Sequence, residues 1–247
     1  MANLVIDIGN TFIKIAVFEQ DKILFLEQLK YADNQIIDQL INKYKVEKAI
    51  ISSVLNQKND WETHLKDKTT LFYFSRDFSA GVSNHYLTPE TLGLDRLAAV
   101  FGAKYLYPET SALIIDGGTC ITYDWVDASG NYYGGSISPG LLMRFKALNN
   151  YTAVLPLLNA DIDFDEPAGN NTHTAIISGV QNGIKYELEG FINSYRSKDQ
   201  DMNIILSGGD SIFFDRLLKN SIFAPCIKKE PNLVLIGLNA AILNYND

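Results

Sequence analysis

LVIDIGNTFIK, residues 4–14, is an apolar run that ends on a carboxylate, Asp7, and turns through Gly9, Asn10 and Thr11 into a second apolar run. A β-branched run followed by Gly-Asn reads as a buried strand reversing into its neighbour. Taken alone the stretch has two readings. It is a plain hairpin, or it is a turn whose backbone amides, hydroxyl and carboxylate surround a phosphate and its metal. The pattern returns at LIIDGGTCIT, residues 113–122, where laying LVID (4–7) on LIID (113–116) superposes Asp116 on Asp7. The second turn is one residue shorter, Gly-Gly-Thr against Ile-Gly-Asn-Thr. A hairpin that recurs with its carboxylate in the same place favours the phosphate reading.

Each hairpin runs on into a third strand-like segment, KILFLEQL in the first copy and, in the second, the stretch that follows a Ser-Gly-Asn turn (129–131). Between the copies, DNQIIDQLINKY carries apolar residues at helical spacing, KAIISSVL reads as a strand and NDWETHLKDK as a short helix capped by Asn59 or Asp60. TLFYFS is a further strand, and residues 89–106 are expected to be one helix opening with Pro89 and Glu90. After the second copy come two helical stretches, 140–150 and 174–196, then the strand NIILSGGD with a Gly-Gly turn and the helix SIFFDRLLK. In the long helix Ile177, Val180, Ile184, Leu188, Phe191 and Tyr195 share a face. That stripe suits core packing and a dimer interface equally. The repeat sets the expected division at residue 110: an N-terminal lobe, 1–110, and a C-terminal lobe, 111–247, carrying the dimerisation helices.

The 247 residues carry 21 Lys and Arg against 29 Asp and Glu, a net charge of −8. Broad nucleic-acid binding draws its affinity from phosphate neutralisation, so an acidic chain argues against it. Cys120 and Cys226 form no disulfide framework and no C-x-x-C pair. His64, His85 and His173 lie too far apart to suggest a zinc site. With no membrane-length apolar run and no signal-like start, a cytoplasmic protein is expected.

Two carboxylates in register suit magnesium, which commonly binds through one or two carboxylates plus substrate phosphates. Thr11 and Thr119 add hydroxyls, the glycines let backbone approach a ligand, and Lys14 on the second strand is a point charge within reach of a phosphate. Asp95 and Arg96, in GLDRLAA, read on their own as a surface pair supporting a helix.

Together and in this order, DIGNTFIK (7–14), GLDR (93–96), DGGTCIT (116–122), GGSISPG (134–140) and NTHTAIISG (171–179) resemble the type III pantothenate kinases, over nearly the whole chain. That family belongs to the superfamily of acetate and sugar kinases, heat-shock chaperones and actin. The resemblance implies an α/β protein with a two-lobed, duplicated, ribonuclease-H-like (actin-like ATPase) fold, mixed sheets flanked by helices, and an ATP cleft between the lobes. It implies transfer of the ATP γ-phosphoryl group to the 4′-hydroxyl of pantothenate, the first step of coenzyme A synthesis. Asp7, Ile8, Gly9, Asn10, Thr11, Phe12, Ile13 and Lys14 would form the first nucleotide-phosphate loop. Thr119 would be the second ATP contact, and Gly208 with Gly209 the adenosine-side turn. Tyr86, Gly93, Leu94, Asp95, Arg96 and Thr172 would hold pantothenate, with Asp95 accepting the proton of the attacking hydroxyl. Asp116 would bind a monovalent cation, potassium or ammonium, while Mg2+ bridges the phosphates. Members are homodimers whose pantothenate pocket borrows from the partner subunit.

Cys120 departs from the small alanine usual in the family, and NADIDFDEPAGN (159–170) brings four carboxylates ahead of Thr172. Two rival readings stand beside this one. Another small-molecule kinase of the superfamily is disfavoured by GLDR and Tyr86, which match a pantothenate site. A non-catalytic nucleotide-binding regulator of transcription would have no use for Asp95, which is present.

Overall fold

The computed structural model describes residues 2–9, 11–53 and 59–245. The chain divides into two compact units: Met1–Pro108 with Gly130–Tyr132 and Leu233–Asp247, and Glu109–Ser129 with Tyr133–Asn232.

The first unit is built on a five-stranded sheet. β1 (Ala2–Ile8) pairs antiparallel with β2 (Ile13–Glu19), and β2 with β3 (Lys22–Leu29). After α1 (Asn34–Tyr44), β4 (Val46–Ser53) returns parallel to β1, and after α2 (Asp60–Lys68), β5 (Thr70–Tyr73) adds parallel to β4. The order is β3-β2-β1-β4-β5. β1 is apolar on both faces because both are covered, as a central strand with parallel crossovers requires. Leu4, Ile6 and Ile8 pack with Ile37 and Leu40 of α1 and Trp61 and Leu65 of α2. Asp33 starts α1 by accepting a hydrogen bond from the Ile36 amide at 2.9 Å.

Residues 89–106 are not one helix. Pro89–Thr91 forms a single 3-10 turn, Leu92 and Gly93 are extended with ψ near 128° and 129°, and α3 runs Leu94–Leu106 with Gly93 as its N-cap. β6 (Ser83–Asn84) pairs with Asn131 and Tyr132, which count with this unit. The unit is closed by the chain's last helix, α7 (Leu233–Asn244), which packs on α3. Backbone meets backbone there: a Cβ on Gly237 would lie 1.8 Å from the Ala98 carbonyl oxygen, and one on Gly102 2.4 Å from that of Leu233. Asn239 of α7 accepts from the Asn3 amide group of β1 at 2.9 Å and donates to the Gln20 carbonyl at 2.8 Å. A division at residue 110 places this helix with the second lobe, whereas it packs with the first unit.

The second unit repeats the plan. β7 (Ala112–Gly117) pairs antiparallel with β8 (Cys120–Val126), which neighbours β9 (Asn131–Pro139). After α4 (Leu141–Asn150) and α5 (Thr172–Arg196), β10 (Asn203–Gly208) lies parallel to β7; after α6 (Ser211–Leu218), β11 (Ile227–Lys229) lies parallel to β10. The order β9-β8-β7-β10-β11 mirrors the first sheet strand for strand. The fold is therefore a duplicated α/β one, in which three strands are followed by parallel crossovers in each copy.

The apolar stripe of α5 is taken up by core packing within its own unit. Ile177, Val180, Ile184 and Leu188 are buried in this unit's own core with Leu113, Ile115 and Phe214. Phe191 stacks on Tyr123 at 3.9 Å between ring centroids, and Tyr195 on Trp125 at 6.3 Å. Asn171 caps α5 by accepting from the Thr174 amide at 3.0 Å, so the helix starts two residues earlier than its periodicity suggests, with Thr172 in its first turn.

Candidate active site

The first turn is tied by its own backbone. The Gly9 amide donates to the Phe12 carbonyl at 3.0 Å, and a Cβ on Gly9 would already press on that oxygen at 3.3 Å. Thr11 and Phe12 are exposed on the turn, whereas Ile8 and Ile13 point into the core and can offer a ligand only their backbone. Asn10 lies outside the described residues. In the sheet, Asp7 stands opposite Lys14 on β2 and beside Ser52 on β4. A carboxylate and an ammonium thus share one face at the mouth of the turn.

Also in the first unit, the GLDR segment forms the start of α3. Gly93 is there for space: a Cβ would sit 2.5 Å from Asp95 Oδ1. Asp95 is exposed in the first helical turn, and its Oδ1 accepts from the Arg96 amide at 2.8 Å. Arg96 is buried; its guanidinium carbon lies 5.7 Å from the centre of the Tyr86 ring, a cation–π distance. Tyr86 in turn stacks on Tyr132 with planes 8° apart. The structure thus brings Tyr86, Gly93, Leu94, Asp95 and Arg96 into one patch, although Tyr86 and the tetrad come from separate segments.

In the second unit the shorter turn closes differently, the Gly118 amide donating to the Cys120 carbonyl at 3.0 Å. Gly118 and Thr119 are exposed. Asp116, the penultimate residue of β7, lies between Thr122 of β8 and Ser207 of β10. Gly208 must be glycine, having φ +79° and leaving only 2.8 Å between a Cβ and Asp116 Oδ1. Gly209 has open space, and the Asp210 amide donates to the Gly117 carbonyl at 3.1 Å. Burial pushes the Asp210 carboxyl up from its ordinary pKa. A cavity of about 350 Å³ opens beside this turn, with Gly118, Thr119, Asn159 and Asp210 in its lining.

Thr172 sits elsewhere in the same unit, in an open apolar cavity of about 810 Å³ lined by α4 and α5. Arg144 is the one charged side chain in that lining. Its Nη2 donates to Glu187 Oε2 at 2.6 Å and its Nε to the Pro139 carbonyl at 2.8 Å. Glu187 Oε1 also accepts from Tyr123 at 2.8 Å and from Ser138. Burial pushes the Glu187 carboxyl up, but the hydrogen bonds from Ser138, Arg144 and Tyr123 outweigh it and hold the carboxyl below its ordinary value. The network leads back to the turn: the Gly140 amide donates to the Thr119 carbonyl at 3.2 Å, and a Cβ on Gly140 would lie 2.3 Å from the Gly118 oxygen.

Residues 3–194 match the family model for type III pantothenate kinase. The chain is 44% identical to the type III pantothenate kinase of Bacteroides fragilis strain YCH46 over 249 residues, which is 99% of this chain and 98% of that one. The chain belongs to the type III pantothenate kinase family. The enzyme of that name from Christiangramia forsetii is also 44% identical, over 99% of this chain and 98% of its own. Among solved structures, the activator of 2-hydroxyisocaproyl-CoA dehydratase from Clostridium difficile with bound ADPNP superposes with a TM-score of 0.56 at 14% identity, covering 100% of this chain and 95% of that one. At that identity the likeness speaks for the fold alone.

As a type III pantothenate kinase the chain carries groups that its motifs did not single out. Arg144 and Glu187 escaped because the pair is 43 residues apart and reads as two helix-surface charges. Asp210 follows the Gly-Gly turn and could have been found as a third carboxylate after a strand. Ser207 gave no signal at all, since a serine in an apolar strand is unremarkable until its neighbours are known. No helix among the described residues is long and apolar enough to cross a membrane, and no cluster of three or more His, Cys, Asp or Glu among them could hold a metal by itself.

Proposed function

We infer that this chain is a kinase that uses ATP to phosphorylate pantothenate on its 4′-hydroxyl, the first step of coenzyme A synthesis. The observation that carries the reading, beside the family, is the opening of α3. There Gly93 clears space for an exposed Asp95 while the next residue, Arg96, is turned inward over Tyr86. The two neighbours have separate tasks. Asp95 is free to accept the proton of the attacking hydroxyl, and Arg96 with Tyr86 forms a cationic and aromatic face that suits a small polar acid.

Phosphoryl transfer needs positioning and charge neutralisation more than covalent help. The turn amides at Gly9 and Gly118, the hydroxyls of Thr11 and Thr119, and the Lys14 ammonium are donors that suit nucleotide phosphates. Gly208 and Gly209 line the approach on the adenosine side. A donor set of one carboxylate at the turn fits magnesium, because the phosphates supply its other oxygen ligands. When bound, Mg2+ neutralises charge on the phosphates.

A monovalent cation, potassium or ammonium, at Asp116 belongs to the same proposal, supported by the two hydroxyl residues, Thr122 and Ser207, in register with that carboxylate. So does a homodimer with the pantothenate pocket near the subunit interface. Its support is the open apolar cavity at Thr172, lined in part by Tyr151, which is 89% exposed. A cytoplasmic location completes the proposal.

Asp95→Asn tests the role of the base. The variant keeps the shape and removes the basicity, so ATP binding survives while turnover falls by about 10²–10⁴. Retention of more than about a tenth of wild-type turnover would exclude Asp95 as the proton acceptor.

A further inference from the structure

Three buried side-chain polar atoms have no hydrogen-bond partner among the described residues: Ser52 Oγ, Ser207 Oγ and Trp125 Nε1. Leaving a buried hydroxyl unpaired costs free energy, so folded proteins carry few such groups. Two of the three occupy the same place in the two copies of the fold. Ser52 lies on β4 in register with Asp7 of β1, and Ser207 on β10 in register with Asp116 of β7. Both are parallel pairings, in which registered residues are next neighbours on one face, about 4.8 Å apart. Ser52 and Ser207 are 1% and 0% exposed. The second carboxylate leans towards its serine's strand, because Asp116 Oδ1 lies within 2.8 Å of where a Gly208 Cβ would be.

The copies differ on the other side. Asp7 faces Lys14 across the antiparallel pairing, and Asp116 faces Thr122. Where the first copy places an ammonium, the second places a hydroxyl.

We propose that Ser207 is a ligand of the monovalent cation at Asp116, its Oγ joining the carboxylate and the Thr122 hydroxyl as oxygen ligands, so that the cation does for the second turn what the Lys14 ammonium does for the first. The inference rests on the reading of Asp116 as a cation ligand. It explains why an unpaired hydroxyl is kept next to the apolar run Ile204, Ile205 and Leu206. Hard cations take oxygen, and neither alanine nor a sulfur side chain supplies it.

The test is thermal melting of the full-length protein, with magnesium and a non-hydrolysable ATP analogue, in choline chloride replaced stepwise by potassium chloride at constant ionic strength. Ligand that binds only the folded state raises the melting temperature with its concentration. Wild type is expected to gain stability with potassium, and Asp116→Asn to gain none. Ser207→Ala is expected to melt at or above wild type in choline, since it removes an unpaired hydroxyl, and to need roughly five- to tenfold more potassium for the same gain. Ser207→Cys fills the hydroxyl's space with a soft donor, and is expected to shift preference from potassium towards thallium(I), read by direct thallium binding. Equal potassium response in wild type and Ser207→Ala would overturn the role of Ser207 while leaving Asp116 standing. A lower melting temperature of Ser207→Ala already in choline would also overturn it, by making the serine structural. No potassium response in wild type would instead overturn the cation reading of Asp116, and the serine's role with it.

Discussion

Gly93 illustrates how a single position sets the chemistry beside it. Its backbone, φ −59° and ψ 129°, is open to any residue, so conformation alone does not demand glycine. Space does, because a Cβ would stand 2.5 Å from Asp95 Oδ1 and drive the carboxylate aside. Gly93→Ala is therefore expected to cost less than about 1 kcal/mol of stability, the scale of an N-cap exchange. Its turnover should fall about 10²-fold, the scale of a misplaced catalytic group. The melting temperature and kcat measured on one preparation check this; a variant that loses stability but keeps kcat would mean that Asp95 need not stand where it does. Residues of this kind were legible in the sequence because they sit in contiguous motifs. Ser207 and the Arg144–Glu187 pair were not, since each acquires meaning only from strands and helices far away in the chain.

Elements carry the second level of explanation. The α5 stripe left core and interface equally open, and the buried Ile184 and Leu188 decide for the core. Leu188→Ala should destabilise by about 2–5 kcal/mol, the cost of a core cavity. The shift in unfolding midpoint should not depend on protein concentration; a loss that vanishes at high concentration would return the stripe to an interface. α5 also delivers Glu187 to Arg144, Ser138 and Tyr123. That carboxyl is held below its ordinary pKa of 4.5, so the network contributes stability above the unfolded value and loses it as the pH falls below about 4.5 through the folded one. Glu187→Gln should be less stable than wild type at neutral pH and lose less on acidification, which denaturant midpoints across pH 3–7 would check. Parallel pH profiles for the two proteins would contradict the assignment. The helix expected over residues 89–106 fails for a local reason, since Leu92 and Gly93 stay extended to cap α3, and the continuous apolar spacing gives no hint of the break.

At the scale of the whole molecule, the duplication was legible because each copy announces itself with an apolar strand, an aspartate and a glycine turn. Five strands of the second, six-stranded sheet follow the order of the first, and the repeat of three opening strands foretells the first three of them. α7 was not legible. Its sequence, LVLIGLNAAILN, is apolar almost all round, so no periodicity marks a face. Nor does a residue count reveal that it packs on α3, through glycines 135 residues apart, at Gly102 and Gly237. The proposed reaction, phosphoryl transfer from ATP to pantothenate, makes the substrate dependence of ATP consumption the direct test. ADP release is to be measured from purified protein with magnesium and potassium, with and without pantothenate. ADP is expected to form in step with phosphorylated pantothenate, with close to none when pantothenate is left out; ADP release that is absent, or the same whether pantothenate is present or not, would refute the assignment of this activity.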